Sequence, residues 1–114
     1  MATSEYFQDL SNLMNIDKNE ISKLADLILE CSKNNNSIWI FGNGGSASTA
    51  EHLETDLSFI RHEIKTLKIR ASALTSNSAL ITAIANDVGF ENIFSHQLLR
   101  KAIQGDLCLS LIHI

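Results

Sequence analysis

The run Ser37-Ile38-Trp39-Ile40-Phe41, followed at once by Gly42-Asn43-Gly44-Gly45-Ser46, changes the character of the chain within a few residues. The first half is short, continuous, β-branched and aromatic, which is the pattern of a strand buried on both faces. The second half stops it with three glycines. A helical pattern follows through Ala47, Ala50, Leu53, Leu57 and Ile60. A glycine loop that leaves a buried strand and opens a helix stands where parallel sheets bind ligands. Glycine lets backbone N–H groups approach a ligand closely, and the helix N-terminus adds partial positive charge. Ser46 is placed to cap that helix and to offer a hydroxyl. On physical grounds this is a cradle for a phosphate or a sugar hydroxyl. As a P-loop it fails, because no lysine follows the glycines. Gly42-x-Gly44-x-x-Ala47 does match a relaxed dinucleotide fingerprint, but the next strand carries Lys68 and Arg70 and lacks the carboxylate that would hold an NAD ribose.

Before the loop, residues 3–34 read as helix. Tyr6, Phe7, Leu10, Leu13 and Met14 recur at helical spacing, and Ile21, Leu24, Ala25, Ile28 and Leu29 resume after a polar break. Asp17 three residues before Glu20 suggests a capping box, and Lys33-Asn34-Asn35-Asn36 closes the segment. After the loop, 67–74 reads as a second strand, 77–86 and 91–103 as helices, and 106–114 as a third strand. Strands alternating with helices predict an α/β protein with a three-layer, doubly wound parallel sheet. The expected organisation is a helical lead over 1–36, concerned with oligomerisation, and a sheet-forming unit over 37–114.

Composition narrows the function classes. Hydrophobic residues make up 45% and charged residues 19%, which excludes intrinsic disorder. The net charge of -4, without a basic run, argues against a nucleic-acid partner held by phosphate contacts. No apolar run approaches the ~20 residues that span a bilayer, and the polar, acidic start does not resemble a signal peptide. Cys31 and Cys108 have no metal or redox spacing and read as two buried thiols in a reducing compartment. The expectation is a cytoplasmic protein.

His52 and Asp56 stand at i and i+4 on the helix after the loop, so their side chains meet, at the border of the stripe of Leu53, Leu57 and Ile60. A His/carboxylate pair can share a proton with a substrate, and it is also half of a zinc site. Asn86-Asp87 closes an apolar helix, where a plain helix end is the simplest reading. Ser76 and Ser78 lie in a polar loop after the second strand. His62 and His96 read as solvated or interface histidines, and His113 falls within the last strand.

FGNGGSASTAEH at 41–52 resembles the first glycine-serine loop of the SIS (sugar isomerase) domain, in particular the phosphoheptose isomerases. ALTSNSALITAIANDVGFENIFSHQL at 73–98 resembles the same family in order and at the expected distance, as does the Gly105-Asp106 turn. The resemblance implies a homotetrameric enzyme that isomerises sedoheptulose 7-phosphate to D-glycero-D-manno-heptose 7-phosphate for surface polysaccharide synthesis. It implies that Asn43, Gly44, Gly45, Ser46, Asn86 and Asp87 contact the substrate. It also implies that His52 and Asp56 bind zinc and act in proton transfer. The family carries Glu where this chain has Asp56, one methylene shorter. The sequence stops at Ile114, where the family's second serine-rich loop would begin, so a chain of these residues alone is expected to associate and to be inactive. The alternative is a non-catalytic SIS module that binds a sugar phosphate or a protein partner, like the relative that associates with the bacterial replication initiator.

Overall fold

A computed structural model describes residues 2–13, 17–59 and 68–112; Met14, Ile60, His62 and His113 lie outside the described residues. In chain order the elements are α1 (Ala2–Leu13), α2 (Lys18–Lys33), β1 (Ser37–Phe41), α3 (Gly45–Ser58), β2 (Arg70–Ala73) and α4 (Ser78–Asp87). A 3-10 turn (Phe90–Asn92), α5 (Ser95–Lys101) and β3 (Leu107–Ser110) complete them. The strands form a sheet in the order β2-β1-β3. Both pairings are parallel, with Ile40 beside Ala73 on one side and beside Leu109 on the other. The chain therefore steps from β1 to one side through α3 and returns across it to the other through α4 and α5. This is the doubly wound α/β arrangement expected from the sequence.

Alternation along β1 supplies both faces of the sheet. Ile38 and Ile40 join Cys31, Ala50, Ala71 and Ala73 under α2 and α3, while Trp39 and Phe41 pack against Leu74, Ile84, Ile93 and Phe94 under α4 and α5. Ile38 and Ile40 are 1% and 0% exposed; burial of each contributes about 1.5–3 kcal/mol. Phe41 and Phe94 stack with ring centroids 5.1 Å apart.

The helix ends follow from local chemistry. The Asp17 side chain accepts the Asn19 N–H at 2.9 Å and starts α2. Asn35, at φ 58°, turns the chain left-handed after it, and the Asn36 N–H returns to the Cys31 carbonyl at 2.9 Å. Asp106 then ties this turn to the start of β3. Its carboxylate accepts the Ser37 N–H, the Asn36 amide, the Trp39 indole and the Ile103 N–H at 2.8–3.0 Å. Burial pushes this carboxyl upward, but the hydrogen bonds from Ile103, Ser37, Trp39 and Asn36 outweigh it and hold the group well below the usual carboxylate range.

Four expectations change. The single helix over 91–103 is broken, because adjacent Ile93 and Phe94 both turn into the core between the 3-10 turn and α5. The second and third strands are shorter than expected, since ladder pairing spans only Arg70–Ala73 and Leu107–Ser110. Cys108 is exposed while Cys31 is buried. Leu107 and Leu109 take the inward side of β3, and the strand's two-residue period sends Cys108 to the opposite side. Ser46 is not the helix cap. That position belongs to Gly44, and no side chain caps α3.

Candidate active site: a glycine cradle at the switch point

The cradle begins where the ladder ends. The Ile40 and Phe41 carbonyls accept the Leu74 and Leu111 N–H groups at 2.8 Å, so β1 is held on both sides up to its last residue. The loop thus rises from the central strand, at the point where strand order reverses. Gly42 must be glycine: a Cβ there would lie 2.7 Å from the Ser46 Cβ. Gly44 sits at φ 56° and ψ -122°, a conformation open to glycine and strained for other residues. A Cβ on Gly44 or Gly45 would meet nothing within 4 Å, so the space above both is free for a ligand.

Ser46 and Ala47 donate their N–H groups back to the Asn43 and Gly44 carbonyls at 3.0 Å. Among the described residues, the Gly44 and Gly45 N–H groups have no acceptor. The loop borders a cleft of about 270 Å³ lined by Gly42, Asn43, Gly44 and Ala47 together with Thr75, Ile81, Phe90, Ile93 and Phe94.

His52 and Asp56 do meet, with Nε2 and Oδ2 3.3 Å apart. They do not lie at the border of the core. Their side chains are 78% and 60% exposed. The centre of the buried stripe is Ala50, at 0% exposure, and His52 and Asp56 stand about 160° and 120° around the helix from it. Asn86 and Asp87 lie exposed at the end of α4, where the Asn86 amide donates to the Asp87 carboxylate at 3.0 Å. Neither lines the cleft. Ser76 donates locally to the Ala73 carbonyl, and Ser78 starts α4. His96 lies half-buried on α5.

For zinc, the donor set is half complete. His52 and Asp56 are suitable types at i, i+4 spacing, but no group of three His, Cys, Asp or Glu converges among the described residues. Two donors do not hold a tetrahedral ion.

Two residues near the site escaped the sequence reading. The Glu54 carboxylate accepts the Ala73 N–H at 2.7 Å and clamps α3 to the outer edge of β2. Thr75 is the second, and no sequence motif marks it. The strand register carries the missing signal: continuing the pairing of Ile40 with Ala73 by two residues places Thr75 beside Gly42.

A family model for the SIS domain matches residues 4–110. The chain belongs to the SIS domain family. This SIS chain is 40% identical over 91 residues to a phosphoheptose isomerase of Shewanella sp. (strain ANA-3), covering 80% of its own length and 46% of the relative's. It is 38% identical over 91 residues to a phosphoheptose isomerase of Trichlorobacter lovleyi (strain ATCC BAA-1151 / DSM 17278 / SZ). It therefore spans about half the length of these relatives. Among solved structures, it is similar to the phosphoheptose isomerase GmhA from Neisseria gonorrhoeae, with a TM-score of 0.80 at 29% identity over 96% of this chain and 55% of that one. A phosphoheptose isomerase from Francisella tularensis gives a TM-score of 0.82 at 27% identity, over 96% of this chain and 59% of that one.

Proposed function

We propose that this SIS chain forms part of a phosphoheptose isomerase that converts sedoheptulose 7-phosphate to D-glycero-D-manno-heptose 7-phosphate for surface polysaccharide synthesis. The observation that carries the reading is the open glycine cradle, with unpaired backbone donors and free space above Gly44 and Gly45, in a chain whose relatives bear that name. Asn43, Gly44, Gly45 and Ser46 contact the phosphosugar, and Asn86 and Asp87 reach it from the end of α4. The isomerisation moves two protons, one between carbons and one between oxygens. Asp56 takes the C1 proton of the ketose, an enediolate forms, the O1 hydroxyl proton passes to O2 and a proton returns at C2, so no oxidant or reductant is consumed. His52 holds the Asp56 carboxylate in place.

Zinc would bind at His52 and Asp56 together with donors from outside the described residues, and would there polarise the substrate's oxygens. The exposed apolar side chains of α1 and α2 support a homo-oligomer, read as a tetramer. No helix among the described residues is long and apolar enough to cross a membrane. The two free cysteines support a cytoplasmic setting, and the net charge of -4 gives a phosphate-rich nucleic-acid partner no support.

Calorimetry with sedoheptulose 7-phosphate tests the site, with wild type expected to bind and Gly44→Val expected not to. Equal affinity would overturn the assignment. Exchange of the C1 proton in deuterated water needs only the cradle and the base, so it is read separately from full turnover. Deuterium should enter C1 with wild type and not with Asp56→Asn. The solvent-facing pair, with no third donor among the described residues, also suits a second reading, a binding module without chemistry; binding without exchange would favour it.

A further inference from the structure

We infer that Thr75 is a ligand-positioning residue of the cradle, its hydroxyl lying beside the glycine loop on the lining of the cleft. The inference rests on the phosphosugar reading of that cleft and adds to it a side chain next to the backbone donors. Of the residues lining the cleft, Thr75 carries the one side-chain hydroxyl, and Ile81, Phe90, Ile93 and Phe94 are apolar. A polyhydroxylated ligand anchored by backbone donors at Gly44 and Gly45 would otherwise face a wall unable to hydrogen-bond to it. Desolvating sugar hydroxyls against such a wall is costly unless a partner is present.

The backbone that carries Thr75 is fixed. The Leu74 N–H donates to the Ile40 carbonyl at 2.8 Å. The Leu74 carbonyl accepts the Gln97 amide at 2.9 Å, and the same amide, 2% exposed, donates to the Ile93 carbonyl at 2.8 Å. Thr75 thus follows a residue held from both sides, one strand away from Gly42. Its own hydroxyl is loosely committed, donating to the Ala47 carbonyl at 3.4 Å. A long bond of this kind is weak, and the hydroxyl keeps its acceptor capacity and can rotate its proton toward a ligand. The hydroxyl is therefore placed precisely enough to orient a sugar and is free enough to bind one.

Thr75→Val keeps the shape and removes the hydroxyl, and Thr75→Ser keeps the hydroxyl. With sedoheptulose 7-phosphate as the probe, calorimetry should show about tenfold weaker binding for Thr75→Val, the loss of one hydrogen bond, and less than about twofold change for Thr75→Ser. Inorganic phosphate, which fills the cradle alone, should bind Thr75→Val and wild type alike. If Thr75→Val bound the sugar phosphate as wild type does, the inference would fall while the cradle stood. If wild type bound neither probe, the phosphosugar reading and this inference would fall together. Should Thr75→Val fail to fold, the Thr75 methyl resonance of wild type gives the answer: it must shift on titration with the sugar phosphate and stay still with inorganic phosphate, and an unmoved signal with both rejects the role.

Discussion

At the scale of single residues, the cradle separates space from backbone conformation. Gly44→Val strains a positive-φ position and so tests folding as well as binding. Gly45 has an ordinary φ and open space above it. Gly45→Ala should therefore keep the wild-type melting temperature and still weaken sugar-phosphate binding, by roughly tenfold if one backbone contact is lost; unchanged affinity would place the ligand elsewhere. At position 56, Asp56→Glu restores the length found in the family and should keep or raise C1 exchange, while His52→Ala should remove most of it and spare phosphate binding. Asp106 makes a prediction about pH. Its folded carboxyl lies below its unfolded value of about 3.9. The stability it contributes is therefore fully present above pH ~4 and is lost as pH falls through the lower folded value. Asp106→Asn should cost about 1.5–3 kcal/mol at neutral pH, and urea melts should show the gap to wild type closing only below pH ~4. A constant gap down to pH 2 would mean that charge is not what Asp106 contributes.

Elements show how much could be read ahead of the structure. The strand–glycine–helix junction was legible because its signals are local: an apolar run, three glycines, then a helical period. The clamp made by Asp106 was not, since Asn36, Ser37 and Trp39 stand far from it in sequence and only the pairing of β1 with β3 brings them together. The exposure of His52 and Asp56 is not legible from a stripe centred on Leu53 and Leu57. Small Ala50 is the fully buried residue of α3, and small side chains weigh little in a periodicity count. Thr75 was hidden for a related reason, because its place depends on register between strands. One glycine is required by an element junction. Gly105 has φ 94°, and a Cβ there would lie 2.9 Å from the Asn36 amide that Asp106 binds. Gly105→Ala should destabilise by more than about 1 kcal/mol in urea titration, and an unchanged midpoint would show that the Asn36 turn yields freely.

For the whole molecule, the open question is what covers the helical lead. Tyr6 and Phe7 on α1 are 62% and 64% exposed, and Ile21 and Leu27 on α2 are 56% and 50% exposed. Apolar area of this extent on two successive helices marks an association surface, and a second copy of the chain is the partner the proposed tetramer calls for. Light scattering should show an oligomer for wild type and a smaller species for Phe7→Glu with Ile21→Glu. A wild-type monomer would remove the assembly from the reading.

The position of β1 between two partners has a consequence for time rather than space. Among the described strands, β2 and β3 each share one ladder with β1, whereas freeing β1 means breaking both and opening the cores on the two faces of the sheet. Its amides should then exchange with deuterated water only when the entire fold opens, later than those of α1 by orders of magnitude. The cradle grows from this strand, so its base stays anchored while the edges of the fold fluctuate. The phosphosugar of the proposed reading would meet a receptor whose ordering cost was met when the chain folded, and little of the binding energy would go to shaping it.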